Sequence, residues 1–225
     1  MIKRIRQKMV VFDLDGTLID TAPDLFYSAN EVIKDIIKVD IDYEDSKKFI
    51  GWGGEYFIKR NLKQNNINLS QKKIDELIKK FLVIYEDNIS KRSKLYPGVA
   101  KIITELKQRN FILNICSNKP EKLAKLILTD FNIIQNFDQV IGGDTLSQSK
   151  PNPLPLLKLM NDHNIKPKDT IMIGDTTTDI LTAKNCNIRS ICVDFGYFNE
   201  KIDGVDPDYW VSNYNQVIEI INEVF

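Results

Sequence analysis

The chain has 225 residues, and its 31 Lys and Arg are matched by 31 Asp and Glu, with a sequence pI near 6.6. A zero net charge lacks the basic field that captures nucleic acid or anionic membrane, so neither partner is expected. Apolar residues at 43% and charged residues at 28% are globular values, and no apolar run reaches the roughly 20 residues that cross a bilayer.

In chain order, the basic residues Lys3, Arg4, Arg6 and Lys8 precede an apolar run that Asp13 stops well short of a signal-peptide core. Val10-Val11-Phe12, ending in Asp-Leu-Asp-Gly-Thr, reads as a buried strand and its turn. Helical spacing of Leu25, Phe26, Ala29, Val32, Ile33, Ile36 and Ile37 predicts a helix with Thr21 and Asp24 as a capping box. Short helices fit Glu44–Phe49 and Glu55–Leu62, and Ser70 opens a longer one through Ile74, Leu77, Phe81 and Tyr85. Pro97-Gly98 marks the return, and a helix from Val99 to Arg109 leads into further strand patterns at Phe111–Cys116, Gln139–Ile141, Thr170–Ile173, Ser190–Val193 and Tyr209–Val211, with a last amphipathic helix from Asn215 to Val224. Strands alternating with helical stretches imply a Rossmann-like parallel sheet in an α/β fold. A βαβ unit takes on the order of 30 residues, so the segment between the first two strands needs structure of its own. Residues 19–92 are therefore expected to form an all-helical subdomain inserted into a core made of 1–18 and 93–225. Cys116, Cys186 and Cys192 form no CxxC pair, which favours reduced thiols and a cytoplasmic protein.

Open α/β sheets bind ligands at the carboxyl ends of their strands, and polar clusters fall there. Asp13 and Asp15 project from one side of an extended chain, and suit a metal, an acid–base pair, or a plain Asx turn. Ser117-Asn118-Lys119-Pro120 reads as a helix N-terminus that either receives a phosphate or is merely capped. Lys150, held extended by Pro151, can neutralise an anion or lie solvated on the surface. Asp175 and Asp179 are hard oxygen donors of the kind Mg²⁺ prefers, or first-turn acids favoured by the helix dipole.

The order of these clusters resembles the four motifs of the haloacid-dehalogenase (HAD) superfamily, and the helical insert is similar to its helical (type C1) cap. The resemblance implies that Asp13 is the nucleophile and Asp15 the acid and base. It implies that Thr17, Ser117 and Asn118 bind phosphoryl oxygens while Lys150 counters their charge. It places Mg²⁺ on Asp13, the Asp15 carbonyl and Asp175, with Asp179 behind. An Asp at position 15 favours esters over halides. Gly142-Gly143-Asp144-Thr145-Leu146, Gly196-Tyr197, Ile50-Gly51-Trp52-Gly53 and Arg60-Asn61-Leu62 resemble the phosphoglycolate-phosphatase branch. That likeness implies a small phosphorylated metabolite as substrate, first 2-phosphoglycolate, with Gly51, Trp52 and Arg60 selecting it in the cap. A sugar-phosphate mutase, or a phosphatase for another small ester or pyrophosphate, is the alternative. The protein is expected to be a monomer or homodimer, with hinges near Leu18–Asp20 and Ser93–Tyr96.

Overall fold

A computed structural model describes residues 7–38, 42–47, 49–50, 54–197 and 204–225. Strand β1 (Met9–Phe12) leads through β2 (Ile19–Asp20) into four helices, α1 (Ala22–Ile37), α2 (Tyr43–Lys47), α3 (Gly54–Gln64) and α4 (Gln71–Asn88). The chain returns along β3 (Lys94–Leu95) to α5 (Val99–Gln108), β4 (Ile112–Cys116), α6 (Glu121–Asp130), β5 (Gln139–Ile141) and α7 (Leu154–His163). It ends with β6 (Thr170–Gly174), α8 (Thr177–Asn185), β7 (Arg189–Val193), β8 (Tyr209–Val211) and α9 (Tyr214–Val224).

Six strands form one parallel sheet in the order β5-β4-β1-β6-β7-β8, as the alternating pattern predicts. All four residues of β1 are buried because helices cover both faces. Val10 and Phe12 pack with Leu113, Ile115, Ile171 and Ile173 beneath the large core, whereas Met9 and Val11 join Met172, Leu156, Leu159 and Ala183 on the opposite face. The two-residue side-chain period of the strand makes that division. The chain changes direction at β1, which lies between β4 and β6, and the crevice so opened is where loops of such sheets meet a ligand. Among the described residues no helix is long and apolar enough to cross a membrane.

Helices α1, α3 and α4 pack on one another above this crevice, and Leu25, Phe57, Leu77, Phe81 and Tyr85 continue the core that begins on the sheet. Strands β2 and β3 pair antiparallel, Ile19 with Leu95 and Asp20 with Lys94, so both connections to the helices run side by side.

The expected capping box at Thr21 and Asp24 is not formed. Thr21 gives its hydroxyl to Asp15, and the Tyr197 hydroxyl takes over the helix end by accepting from Thr21 N and Ala22 N, at 2.7 and 2.8 Å. Asp24 turns instead to the returning chain, where its carboxylate accepts from Arg92 N, Ser93 N, the Ser93 hydroxyl and the Arg92 guanidinium. Asp24 is fully buried. An Asp24→Ala substitution leaves those donors unmet and is expected to cost about 3 kcal/mol in urea unfolding; an unchanged midpoint would show that the staple carries no stability.

One further helix start differs from expectation: α6 begins at Glu121 rather than at Ser117 or Asn118, and the Asp144 carboxylate accepts from Glu121 N. α7 begins at Leu154, whose N–H is taken by the Asn152 side chain.

Candidate active site

β1 ends in the crevice, and the chain then turns sharply at Gly16, whose φ is +82°. A side chain there is excluded twice over: the left-handed backbone strains it, and its Cβ would lie 2.2 Å from Asp175 Oδ2. This close approach brings the first turn against the end of β6. Asp175 is fully buried, and Thr17 donates its hydroxyl to Oδ1 at 2.9 Å while Tyr197 N donates to Oδ2 at 2.6 Å. One helical turn on, Asp179 accepts from Thr176 N and its hydroxyl, so the capping box absent from α1 is present at α8. Lys150 reaches into the same place, with Nζ 2.8 Å from Asp13 Oδ1 and 2.5 Å from Asp179 Oδ1.

Carboxylate oxygens of Asp13, Asp175 and Asp179 all lie within 4.8 Å of one another, and all three residues are buried. Of these three buried carboxylates only Asp13 and Asp179 pair with the one ammonium, which leaves an excess of negative charge. Burial, followed by the negative charge of Asp179, pushes the Asp13 carboxyl up to about 7 against the pull of Lys150. Burial, then Asp13 and Asp179, holds Asp175 well above the ordinary carboxylate range. Burial would lower the Lys150 ammonium, but Asp13 and Asp179 outweigh it and raise the group. Hard oxygen donors with excess negative charge are what a divalent cation such as Mg²⁺ requires, so the residues present fit one. Asp13 Oδ2 receives no hydrogen bond from the described residues.

Asp15 points another way. Its Oδ1 accepts from the Thr21 hydroxyl at 2.6 Å and from Lys119 Nζ at 2.8 Å, and its Oδ2 is left without a described partner. Lys119 is a residue that sequence reasoning missed. Only 4% exposed, it also donates to the Tyr85 hydroxyl of α4 at 2.7 Å. The signal for Lys119 was its place directly after Ser117 and Asn118 at a strand end, but nothing local pairs it with an acid 104 residues earlier.

The structure thus brings Asp13, Asp15, Thr17, Lys150, Asp175 and Asp179 to one rim. Ser117 sits at the end of β4 with its hydroxyl accepting from Lys119 N, and Asn118 donates to the Lys150 carbonyl at 3.1 Å. The Asn118 Oδ1 is buried and unpaired. Arg60 lies elsewhere: its guanidinium stacks 5.2 Å over the Phe49 ring, and it is not among the residues lining the cavity next to Asp15. Gly51 and Trp52 fall outside the described residues.

A family model for haloacid dehalogenase-like hydrolases matches residues 10–193. A phosphoglycolate phosphatase from Colwellia psychrerythraea is 35% identical over 223 residues, covering 96% of this chain and 98% of that protein. One from Vibrio cholerae is 34% identical over 218 residues, covering 95% and 96%. A crystal structure described as a predicted phosphoglycolate phosphatase, from Haemophilus somnus, superposes with a TM-score of 0.89 at 29% identity, covering 97% of this chain and 99% of its own. The chain is an enzyme and belongs to the haloacid dehalogenase-like hydrolase family.

Proposed function

We propose that the chain is a Mg²⁺-dependent phosphatase that hydrolyses a small phosphate monoester, 2-phosphoglycolate first, through a phosphorylated Asp13. The observation that carries this reading is the convergence of Asp13, Lys150, Asp175 and Asp179 beside a separately held Asp15.

An anionic nucleophile meets an anionic phosphate only where fixed positive charge removes the repulsion. Lys150 supplies one such charge, 2.8 Å from Asp13. Asp13, Asp175 and the Asp15 carbonyl would hold Mg²⁺, with Asp179 behind them, and the cation would neutralise and orient the phosphoryl oxygens. Asp13 Oδ2 attacks phosphorus; the P–O ester bond breaks, and Asp15 Oδ2 delivers a proton to the departing oxygen. Asp15 then takes a proton from the water that hydrolyses the acyl phosphate, which returns both carboxyl groups to their starting state. Thr21 and Lys119 engage Oδ1 of Asp15, so the proton-transferring oxygen is left free. The Ser117 hydroxyl, which accepts from Lys119 N, keeps its own proton for a phosphoryl oxygen, and the Asn118 amide N–H, donating to the Lys150 carbonyl, holds the lysine beside it.

Residues 19–92 act as a cap over this rim, turning about the paired strands β2 and β3, with 1–18 and 93–225 as the catalytic core. The protein needs neither nucleic acid nor membrane for this work and acts on a diffusible metabolite in the cytoplasm. A panel of phosphate esters assayed for inorganic phosphate release, with and without Mg²⁺, tests the reading. Mg²⁺-dependent release from 2-phosphoglycolate is expected. Isomerisation of a sugar phosphate with a bisphosphate requirement would replace hydrolysis by phosphoryl transfer.

A further inference from the structure

Between the helical layer and the sheet lies a cavity of about 270 Å³ whose floor includes Asp15 and Asn118. Its helical wall is mostly apolar, with Leu25, Phe57, Phe81 and Leu82, while Glu55 on α3 and Asp144 on the core side border it with carboxylates. Among the described lining residues Lys119 supplies the single cationic group, and it belongs to the core rather than to the helices. A lysine ammonium has three protons to donate. Two are taken, by Asp15 Oδ1 at 2.8 Å and by Tyr85 Oη at 2.7 Å, and the third has no acceptor among the described residues. Tyr85 accepts from Lys119, so its own hydroxyl proton also lacks a described acceptor. The phenol keeps that proton, because burial, then Asp15 and Asp24, raise it well above its usual range. Two unused donors, 2.7 Å apart, thus border one partly open, largely apolar space. An unmet buried donor costs about 1–3 kcal/mol, and a bound acceptor removes that cost.

We propose that Lys119 Nζ and the Tyr85 hydroxyl form the subsite for a substrate carboxylate, so that the enzyme selects 2-phosphooxy carboxylates over esters lacking the acid. The spacing supports that class. Asp15, which serves the ester oxygen, is in direct contact with Lys119, so a carboxylate on these donors stands next to the ester oxygen rather than several carbons away. The subsite rests on the phosphatase reading above and assigns to Lys119 and Tyr85 the role that the sequence suggested for Arg60. Because Tyr85 comes from α4 and Lys119 from the core, the subsite is complete only when the helical layer lies over the sheet.

The test compares kcat/KM for 2-phosphoglycolate and for ethyl phosphate, which differs by the missing carboxylate, in wild type, Tyr85→Phe and Lys119→Met. The Phe ring keeps the parallel stack on Phe81, 5.7 Å away, so the fold tolerates Tyr85→Phe. Wild type is expected to prefer 2-phosphoglycolate. Tyr85→Phe lowers that preference about tenfold and Lys119→Met about a hundredfold, through KM for the carboxylate substrate. A preference within about twofold of wild type in both variants overturns the subsite, as does wild type that hydrolyses ethyl phosphate and ignores 2-phosphoglycolate; in the latter case the phosphatase reading still stands. If wild type hydrolyses neither, the phosphatase reading fails, and calorimetric titration with 2-phosphoglycolate decides the subsite. Binding about tenfold weaker in Tyr85→Phe upholds it, and equal or absent binding overturns it.

Discussion

An Asp13→Asn enzyme is expected to lose turnover on every phosphate ester by at least about 10⁴-fold while remaining folded, since removal of a nucleophile strips the covalent route and leaves only positioning and electrostatics. Asparagine is close in shape to aspartate, so Lys150 keeps a polar neighbour at the position of Oδ1, now 2.8 Å away. The substitution also removes one of three mutually repelling buried carboxylates. The thermal midpoint is therefore expected to stay level or rise even as activity vanishes, a combination that separates a chemical role from a structural one. Phosphate release assays beside a thermal melt provide both numbers. Wild-type turnover in the variant would end the covalent mechanism, and a large fall in melting temperature would recast Asp13 as a structural group.

Removal of divalent cations is expected to have an effect of comparable size, and its dependence on pH follows from the crowded carboxylates. In the metal-free protein Asp13 titrates at about 7 instead of the ordinary 3.8, because burial and Asp179 disfavour its anion. A carboxyl group raised in the folded state binds a proton more readily there than in the unfolded chain. Its contribution to stability is thus fully present below about pH 4 and is lost as pH climbs through about 7. Asp175 shifts in the same direction and adds to the slope. Chelated protein is expected to become less stable between about pH 4 and 7, and Mg²⁺ to raise its melting temperature far more at about pH 7.5 than at about pH 5. A metal-induced shift that is equal at both values, or activity that survives chelation, would remove the cation from the site.

Much of the fold was legible because it is written in short-range pattern. Short, largely apolar runs with β-branched residues announced β1, β4, β6 and β7, and the spacing between them required parallel strands. The observed strands match these runs to within a residue, as Arg189–Val193 matches the predicted Ser190–Val193. Helix starts were read less well. Thr21, Ser117 and Asn118 are good caps by type, but each finds a stronger partner or a different geometry once distant chain arrives. Thr21 bonds the charged Asp15, and Asp144 reaches the start of α6 from 23 residues away. Charge-assisted bonds outweigh neutral caps, so the local preference yields.

The polar clusters proposed as the site were visible for the same reason as the strands: each sits at the end of one, and a parallel sheet gathers such ends on a single rim. Arg60 shows where that logic stops. A cationic residue on a helix predicts charge, not direction, and its guanidinium lies 5.2 Å from the centre of the Phe49 ring.

The sequence by itself determined the sheet and its inserted helices, and with them the acids and lysine at the strand ends, since these depend on contiguous residues and a simple topological rule. Tertiary structure alone decided that Lys119 meets Asp15 across 104 residues and Tyr85 across 34, and that Tyr197 holds the start of α1 from 176 residues away. A buried ammonium or phenol must find whatever partner the packed chain places within about 3 Å, and that partner is chosen by how the layers stack, not by neighbours in the chain.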